Sequence, residues 1–173
     1  MANWIFDYVF PAGVNYDVRK QFMNRRRFKI VPASYLVLEK NGKILLLRRF
    51  NTGFQDGKYG LVSGHLDGNE TFKQCMIRET REEAGITVKK EDMEIVHAMH
   101  RCEMFNEIGL RERIDIFIRV TKWEGEPKNM EPDKCDDLSW FSLGNLPENT
   151  IPYIRFALGC INKNIFYSEF GWR

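Results

Sequence analysis

The sequence predicts an α/β fold: one mixed β-sheet covered by helices. Three observations point there. Two apolar runs, "IVPASYLVLE" and "KILLLRR", are joined through "KNGK", and Asn-Gly between such runs is a strong hairpin signal. "RIDIFIRVTKW" alternates, with Ile114, Ile116, Ile118 and Val120 facing one way and Arg113, Asp115, Phe117 and Arg119 the other. Two helical segments, about 72–84 and from about Pro152, stand among the strands.

The elements follow in order along 173 residues, enough for one domain with a sizeable core. Residues 1–28 read as an extension, aromatic at Trp4, Phe6, Tyr8 and Phe10 and broken at Pro11 and Gly13, that packs on the body or on a partner subunit. Residues 29–173 read as the domain. The hairpin strands are continuously apolar, as expected of strands covered on both faces. A polar loop, "FNTGFQDGK", leads to a short strand, "YGLV", and then to a Gly-rich turn, "SGHLDGNE". Thr71 and Gln74 form a capping box, and Gly85 suits the left-handed position past a helix end, so the helix is set at 72–84. "MEIVHAMHR" reads as a strand ending before "NEIG", with His97 and His100 on opposite faces. "DLSWFSL" is a short strand, and "NLPENTIPYIRFALGCINK" turns and then becomes helical.

Composition narrows the function classes. Hydrophobic residues make up 43% and charged residues 29%, a soluble globular balance, and no stretch reaches the roughly 20 apolar residues of a membrane helix. The start carries Asp7 and no basic n-region, so it does not read as a signal peptide. The net charge of +2 gives no global pull toward nucleic acid, "RRRFK" (25–29) being a local exception that reads as a solvated turn. Cys75, Cys102, Cys135 and Cys160 have no zinc spacing, and free thiols in a reducing cytoplasm are expected.

"RETREEAGI" (78–86) carries the chemistry. At 100° per residue, Glu79, Glu82 and Glu83 fall within an arc of about 100° at the end of the helix. A solvated face would gain from opposite charges at i,i+4, as Arg78 and Glu82 do, but Glu79 and Glu83 are like charges at that spacing. They also crowd the end where the helix dipole disfavours anions. A hard divalent cation accounts for the arrangement: Mg²⁺ or Mn²⁺ takes carboxylates, waters and substrate phosphates.

Gly64, Glu70, Arg78, Glu79, Glu82, Glu83 and Gly85 stand at the spacing G-x5-E-x7-R-E-U-x-E-E-x-G-U, where U is a bulky aliphatic. This resembles the Nudix box, MutT-like, over 64–86, and the wider resemblance covers about 29–162. One position departs: the first U is Thr80, a β-branched residue on the side away from the glutamates. The resemblance implies an α/β/α sandwich with the box as a loop–helix–loop at the sheet edge. It implies Glu82 and Glu83 as principal metal ligands, Glu79 as a further ligand or the general base, and the Gly64 carbonyl completing the metal site. Arg78 would orient the glutamates and Glu70 would pair with it, consistent with a guanidinium fork holding a carboxylate. The implied activity is hydrolysis of a diphosphate linking a nucleoside to another moiety.

"RFNTGFQDGKYGLVSGH" and "EPDKCDDLSWFSLGNLPENTIPYIR" resemble a bacterial-type subgroup with generic substrate assignments. Trp140, Phe50, Asn51, Phe54 and Asn145 are nucleobase-pocket candidates by position, and Arg48 and Lys134 are phosphate candidates. Asp136 and Asp137 would read a base edge or cap a strand, and Glu103, Glu107 and Glu112 would serve as extra ligands or as solvated loop charge. The leading expectation is a (d)NTP pyrophosphohydrolase releasing NMP and pyrophosphate. A nucleoside diphosphate sugar pyrophosphatase of the ADP-ribose type, with the extension building a homodimeric pocket, is the enzyme alternative. A catalytically silent nucleotide-binding regulator, and an RNA 5′-end hydrolase leaning on "RRRFK", complete the set.

Overall fold

The computed structural model describes residues 28–105 and 109–172. The aromatic extension, most of "RRRFK" and Glu107 lie outside the described residues. Strands β1 (Val31–Lys40) and β2 (Lys43–Arg49) form the expected hairpin. Asn41 and Gly42 both take positive φ, 53° and 72°, which matches the turn to the twist of the flanking strands.

Strands β3 (Tyr59–Gly60), β4 (Ser63–His65), β6 (Met93–Phe105), β7 (Gly109–Val120), β9 (Cys135–Ser142) and β10 (Tyr167–Phe170) join them in one eight-stranded sheet. Its path runs β10-β6-β7-β1-β2-β3, with β4 on β1 and β9 on β2. The β1–β7 and β10–β6 pairs are parallel and the others antiparallel, so the sheet is mixed. Strands β5 (Thr87–Val88) and β8 (Trp123–Glu124) make a separate two-stranded ribbon.

Helix α1 (Phe72–Ala84) packs on one face and helix α2 (Pro152–Asn162) on the other. Alternation along β1 divides the core: Leu36 and Leu38 meet Met76 and Ala84 of α1, while Ala33, Tyr35 and Val37 meet Tyr153, Ile154 and Ala157 of α2. This is the α/β/α sandwich.

Three expectations change. The turn after "YGLV" contains β4, because Ser34 and Gly64 are register partners on β1 and β4. Strand β6 does end before "NEIG" but reaches four residues past Arg101, since its pairing with β7 persists as far as Phe105 and Gly109. Strand β10 was not expected; it pairs in parallel with β6 after α2, and such a distant partner leaves no local turn signal. His97 and His100 do face opposite ways. His97 is buried between the Ile165 carbonyl and Ser168, and His100 lies against Glu112 and Trp172.

Candidate active site

Helix α1 begins where Thr71 accepts from the Gln74 N–H and Gln74 accepts from the Thr71 N–H. It ends at Gly85, with φ 66°, whose N–H bonds the Arg81 carbonyl while the Ile86 N–H bonds the Thr80 carbonyl. The segment 128–131 seals that end, because the N–H groups of Lys128 and Met130 bond the carbonyls of Ala84 and Glu83. The Ser63 N–H, donating to the Glu83 carboxylate, ties this charged helix end to β4. Thr80 is fully buried and its hydroxyl donates to the Ile77 carbonyl, so the departing position packs inward and satisfies its own polar atom.

Arg78 is the hub. Its Nη2 lies 2.8 Å from Glu70 and 3.2 Å from the His65 carbonyl. Its Nη1 donates to Glu79 at 2.5 Å and to Glu82 at 3.2 Å. Arg78 holds the Glu70 carboxyl below its ordinary range, helped by the Asp67 N–H, and is itself pushed further toward the protonated form. Glu70, Glu79 and Glu82 are thus joined through Arg78 in one hydrogen-bonded network.

Glu79 is buried against the β4 backbone, and a Cβ at Gly64 would collide with its carboxylate. Burial raises its pKa, opposed by Arg78 and reinforced by the charges of Glu82 and Glu131. Glu83 accepts from the Ser63 N–H at 3.0 Å. Burial nevertheless raises the Glu83 carboxyl to about 8, with Glu79 and Glu131 adding. Glu82 stays exposed.

The donor set fits a hard divalent cation. Among the described residues no three Asp, Glu, His or Cys side chains are gathered into a closed cluster. Mg²⁺ asks for less, one or two carboxylates with waters and phosphates. Glu82 and Glu83 with the Gly64 carbonyl supply oxygen donors only. Burial disfavours the charged form of Glu83, and a cation at that carboxylate would relieve it.

Glu131 was missed by sequence reasoning. It lies 45 residues or more beyond the box and has no motif spacing, yet its charge acts on both Glu79 and Glu83. Lys134 is bound to it at 2.8 Å.

A cavity of about 200 Å³ opens beside Gly64, on the α2 face of the sheet. Gly64 and His65 form one wall, Tyr35, Phe54 and Tyr153 give aromatic surface, and Arg49 and Arg113 supply charge. Of the substrate-contact candidates, Phe54 lines it. Arg48 is held by Asp136 at 2.7 and 3.0 Å, Phe50 is exposed, and Asn51 takes a left-handed turn conformation in the loop. Trp140 packs with Trp123 and the α1-side core, and borders a separate hollow with Lys40, Asn41 and Lys43. Asn145 lies in an exposed turn whose N–H bonds the Ser142 carbonyl. Asp137 accepts from Tyr59 and Ser139, and Glu103 and Glu112 pair with Arg101 and His100. None of Arg48, Phe50, Asn51, Lys134, Trp140 or Asn145 lines the cavity. Tyr35, Arg49, Arg113 and Tyr153 do, and the sequence carried no motif for them.

A family model described as the NUDIX domain matches residues 29–157. The NAD-capped RNA hydrolase NudC of Pseudomonas putida is 28% identical over 70% of this chain, which spans 40% of that protein. The ADP-ribose pyrophosphatase of Methanocaldococcus jannaschii is 27% identical, with 76% of this chain and 74% of that one aligned. The oxidized purine nucleoside triphosphate hydrolase of Danio rerio is 31% identical, over 66% and 80%. The crystal structure of the MutT NUDIX hydrolase from Burkholderia pseudomallei superposes with a TM-score of 0.67 at 25% identity, covering 76% of this chain and 98% of that one. The chain thus spans about two fifths of the NudC relative and most of the others. Among the described residues, no helix is long and apolar enough to cross a membrane.

Proposed function

The chain belongs to the NUDIX domain family, and from that premise we propose that it is a divalent-metal-dependent pyrophosphohydrolase acting on a nucleoside diphosphate linked to another moiety. The observation that carries this reading is that Glu79 and Glu83 meet the Ser63–Gly64 turn while Arg78 holds both Glu79 and the exposed Glu82.

In this reading Glu82 and Glu83 hold the cation together with the Gly64 carbonyl. The cation, when bound, neutralises charge on the diphosphate and acidifies coordinated water. Arg78 fixes the direction of Glu79 and Glu82 and is itself braced by Glu70. Glu79, desolvated and with a raised pKa, either joins the ligands or takes the proton of the attacking water. The Ser63 N–H holds one oxygen of Glu83.

The finer reading is an NTP or dNTP pyrophosphohydrolase releasing NMP and pyrophosphate, with the Danio rerio relative in support. The Methanocaldococcus jannaschii relative favours a second reading, a nucleoside diphosphate sugar such as ADP-ribose. The NudC relatives keep an RNA-linked diphosphate among the substrates to be tried, despite the near-neutral charge. A panel of NTPs, ADP-ribose, NAD⁺ and NAD-capped RNA, with Mg²⁺ or Mn²⁺, tests this. Pyrophosphate released from NTPs supports the finer reading, and two monophosphate products from ADP-ribose or NAD⁺ support the second. No metal-dependent cleavage of any member overturns both.

A further inference from the structure

The cavity beside Gly64 differs in charge from the carboxylate cluster it adjoins. Among the described residues, none of the side chains lining it is acidic and two are arginines. Arg113 is only 7% exposed. It is the register partner of Arg101 across β6 and β7, an arrangement that sets like charges opposite each other. Asp115 stands between them, fully buried, but its short bond goes to Arg101 Nε at 2.7 Å. Arg113 Nε lies 3.5 Å from Asp115 Oδ1, and both atoms are buried without a hydrogen bond. Glu103 is taken by Arg101 as well. Arg113 Nη2 faces His65 Nε2, a neutral acceptor.

Arg49, across the cavity, donates to the Phe54 carbonyl at 2.7 Å and to the Thr52 hydroxyl at 3.0 Å, both uncharged. Among the described residues Arg101 and Arg113 share Asp115 and Glu103, with the short bonds going to Arg101, while Arg49 is in no ion pair and its charge reaches Asp56 and Glu83 from a distance. Leaving a buried cation short of its partner is costly, and a fork of N–H donors matches a phosphate. At about 200 Å³ the cavity is also smaller than the ~300 Å³ at which pockets for whole drug-sized ligands begin. A compact anion with part of a sugar is in scale.

We propose that this cavity is a subsite for a phosphate group carried by the substrate beyond the diphosphate that is cut, with Arg49 and Arg113 as its donors. The proposal rests on the reading of the glutamate cluster as the diphosphate end, with Gly64 as the wall common to both. Two sources share this chemistry: a phosphate ester on the nucleoside, and the terminal phosphate of a longer phosphate chain.

The test is binding to the 173-residue chain without metal, by calorimetry, using matched pairs. NADP⁺ against NAD⁺ and coenzyme A against dephospho-coenzyme A differ by one phosphate ester, and ATP against ADP by one terminal phosphate. The richer member of at least one kind of pair is expected to bind about tenfold or more tightly. Preference in the ester pairs assigns the first source, and preference in ATP over ADP the second. Arg49→Gln and Arg113→Lys are expected to bring that ratio toward one. Arg49→Gln decides if Arg113→Lys does not fold, since Arg49 bonds only neutral oxygens there. Equal affinities within every pair, no measurable binding by any member, or a preference that survives the folded variants each overturn the proposal. Because nothing is turned over, a failure of hydrolysis across the nucleotide panel defeats the catalytic reading and is distinguishable from a failure here.

Discussion

Gly64 and Glu79 leave each other no spare room. The carboxylate of Glu79 occupies the space a Cβ at position 64 would need. Gly64→Ala must push Glu79 off Arg78 or shift the β4 turn. Displacing a catalytic group by about 1 Å costs on the order of 100-fold in rate, so a drop of about that size in kcat is expected. Wild-type kcat in folded Gly64→Ala would show that the contact is irrelevant to turnover. Glu83 gives a second prediction at this scale. Its carboxyl is raised by burial to about 8, with Glu79 and Glu131 adding, against about 4.3 in an unfolded chain. The folded state then holds this proton more tightly than the unfolded state does. Its contribution to metal-free stability is present below the unfolded pKa and is lost as pH rises through the folded one. Thermal unfolding without metal should therefore fall between about pH 5 and about pH 8, less steeply in Glu83→Gln, and a divalent cation should restore stability at the upper end. Identical slopes in wild type and Glu83→Gln would contradict this.

Elements were legible where their signals are local. Each bound of α1 has its signal beside it, the Thr71–Gln74 capping box at one end and left-handed Gly85 at the other, and both are found as expected. The Asn41-Gly42 hairpin is of the same kind. Strands β4 and β10 were not read, because each exists only through a partner far along the chain, β1 for one and β6 for the other. Loss of the cap should act on stability and not on chemistry, since Thr71 sits at the end of α1 away from Glu79, Glu82 and Glu83. Thr71→Ala is expected to cost about 1 kcal/mol in denaturant unfolding with kcat unchanged. Unchanged stability would show that the cap contributes nothing to α1.

At the scale of the whole molecule, the sheet carries two kinds of chemistry around the β4 turn. Carboxylates reach the Gly64 turn from α1, and arginines reach the adjoining cavity from the end of β2 and from β7. The first set was legible because the box holds it within 64–86. The second was not, because Tyr35, Arg49, Arg113 and Tyr153 are brought together only by the fold. Arg113 and Asp115 read in sequence as the polar side of a strand. They are buried because Arg101, Arg113 and Asp115 partly neutralise one another. The central claim is that the glutamates of α1 bind the cation on which turnover depends. It is tested most directly by Mg²⁺-dependent hydrolysis, on whichever nucleotide the wild type cleaves, in the Glu82→Gln, Glu83→Gln double variant. Loss of turnover by orders of magnitude with the fold intact is the predicted result, and wild-type turnover in that variant would contradict the account.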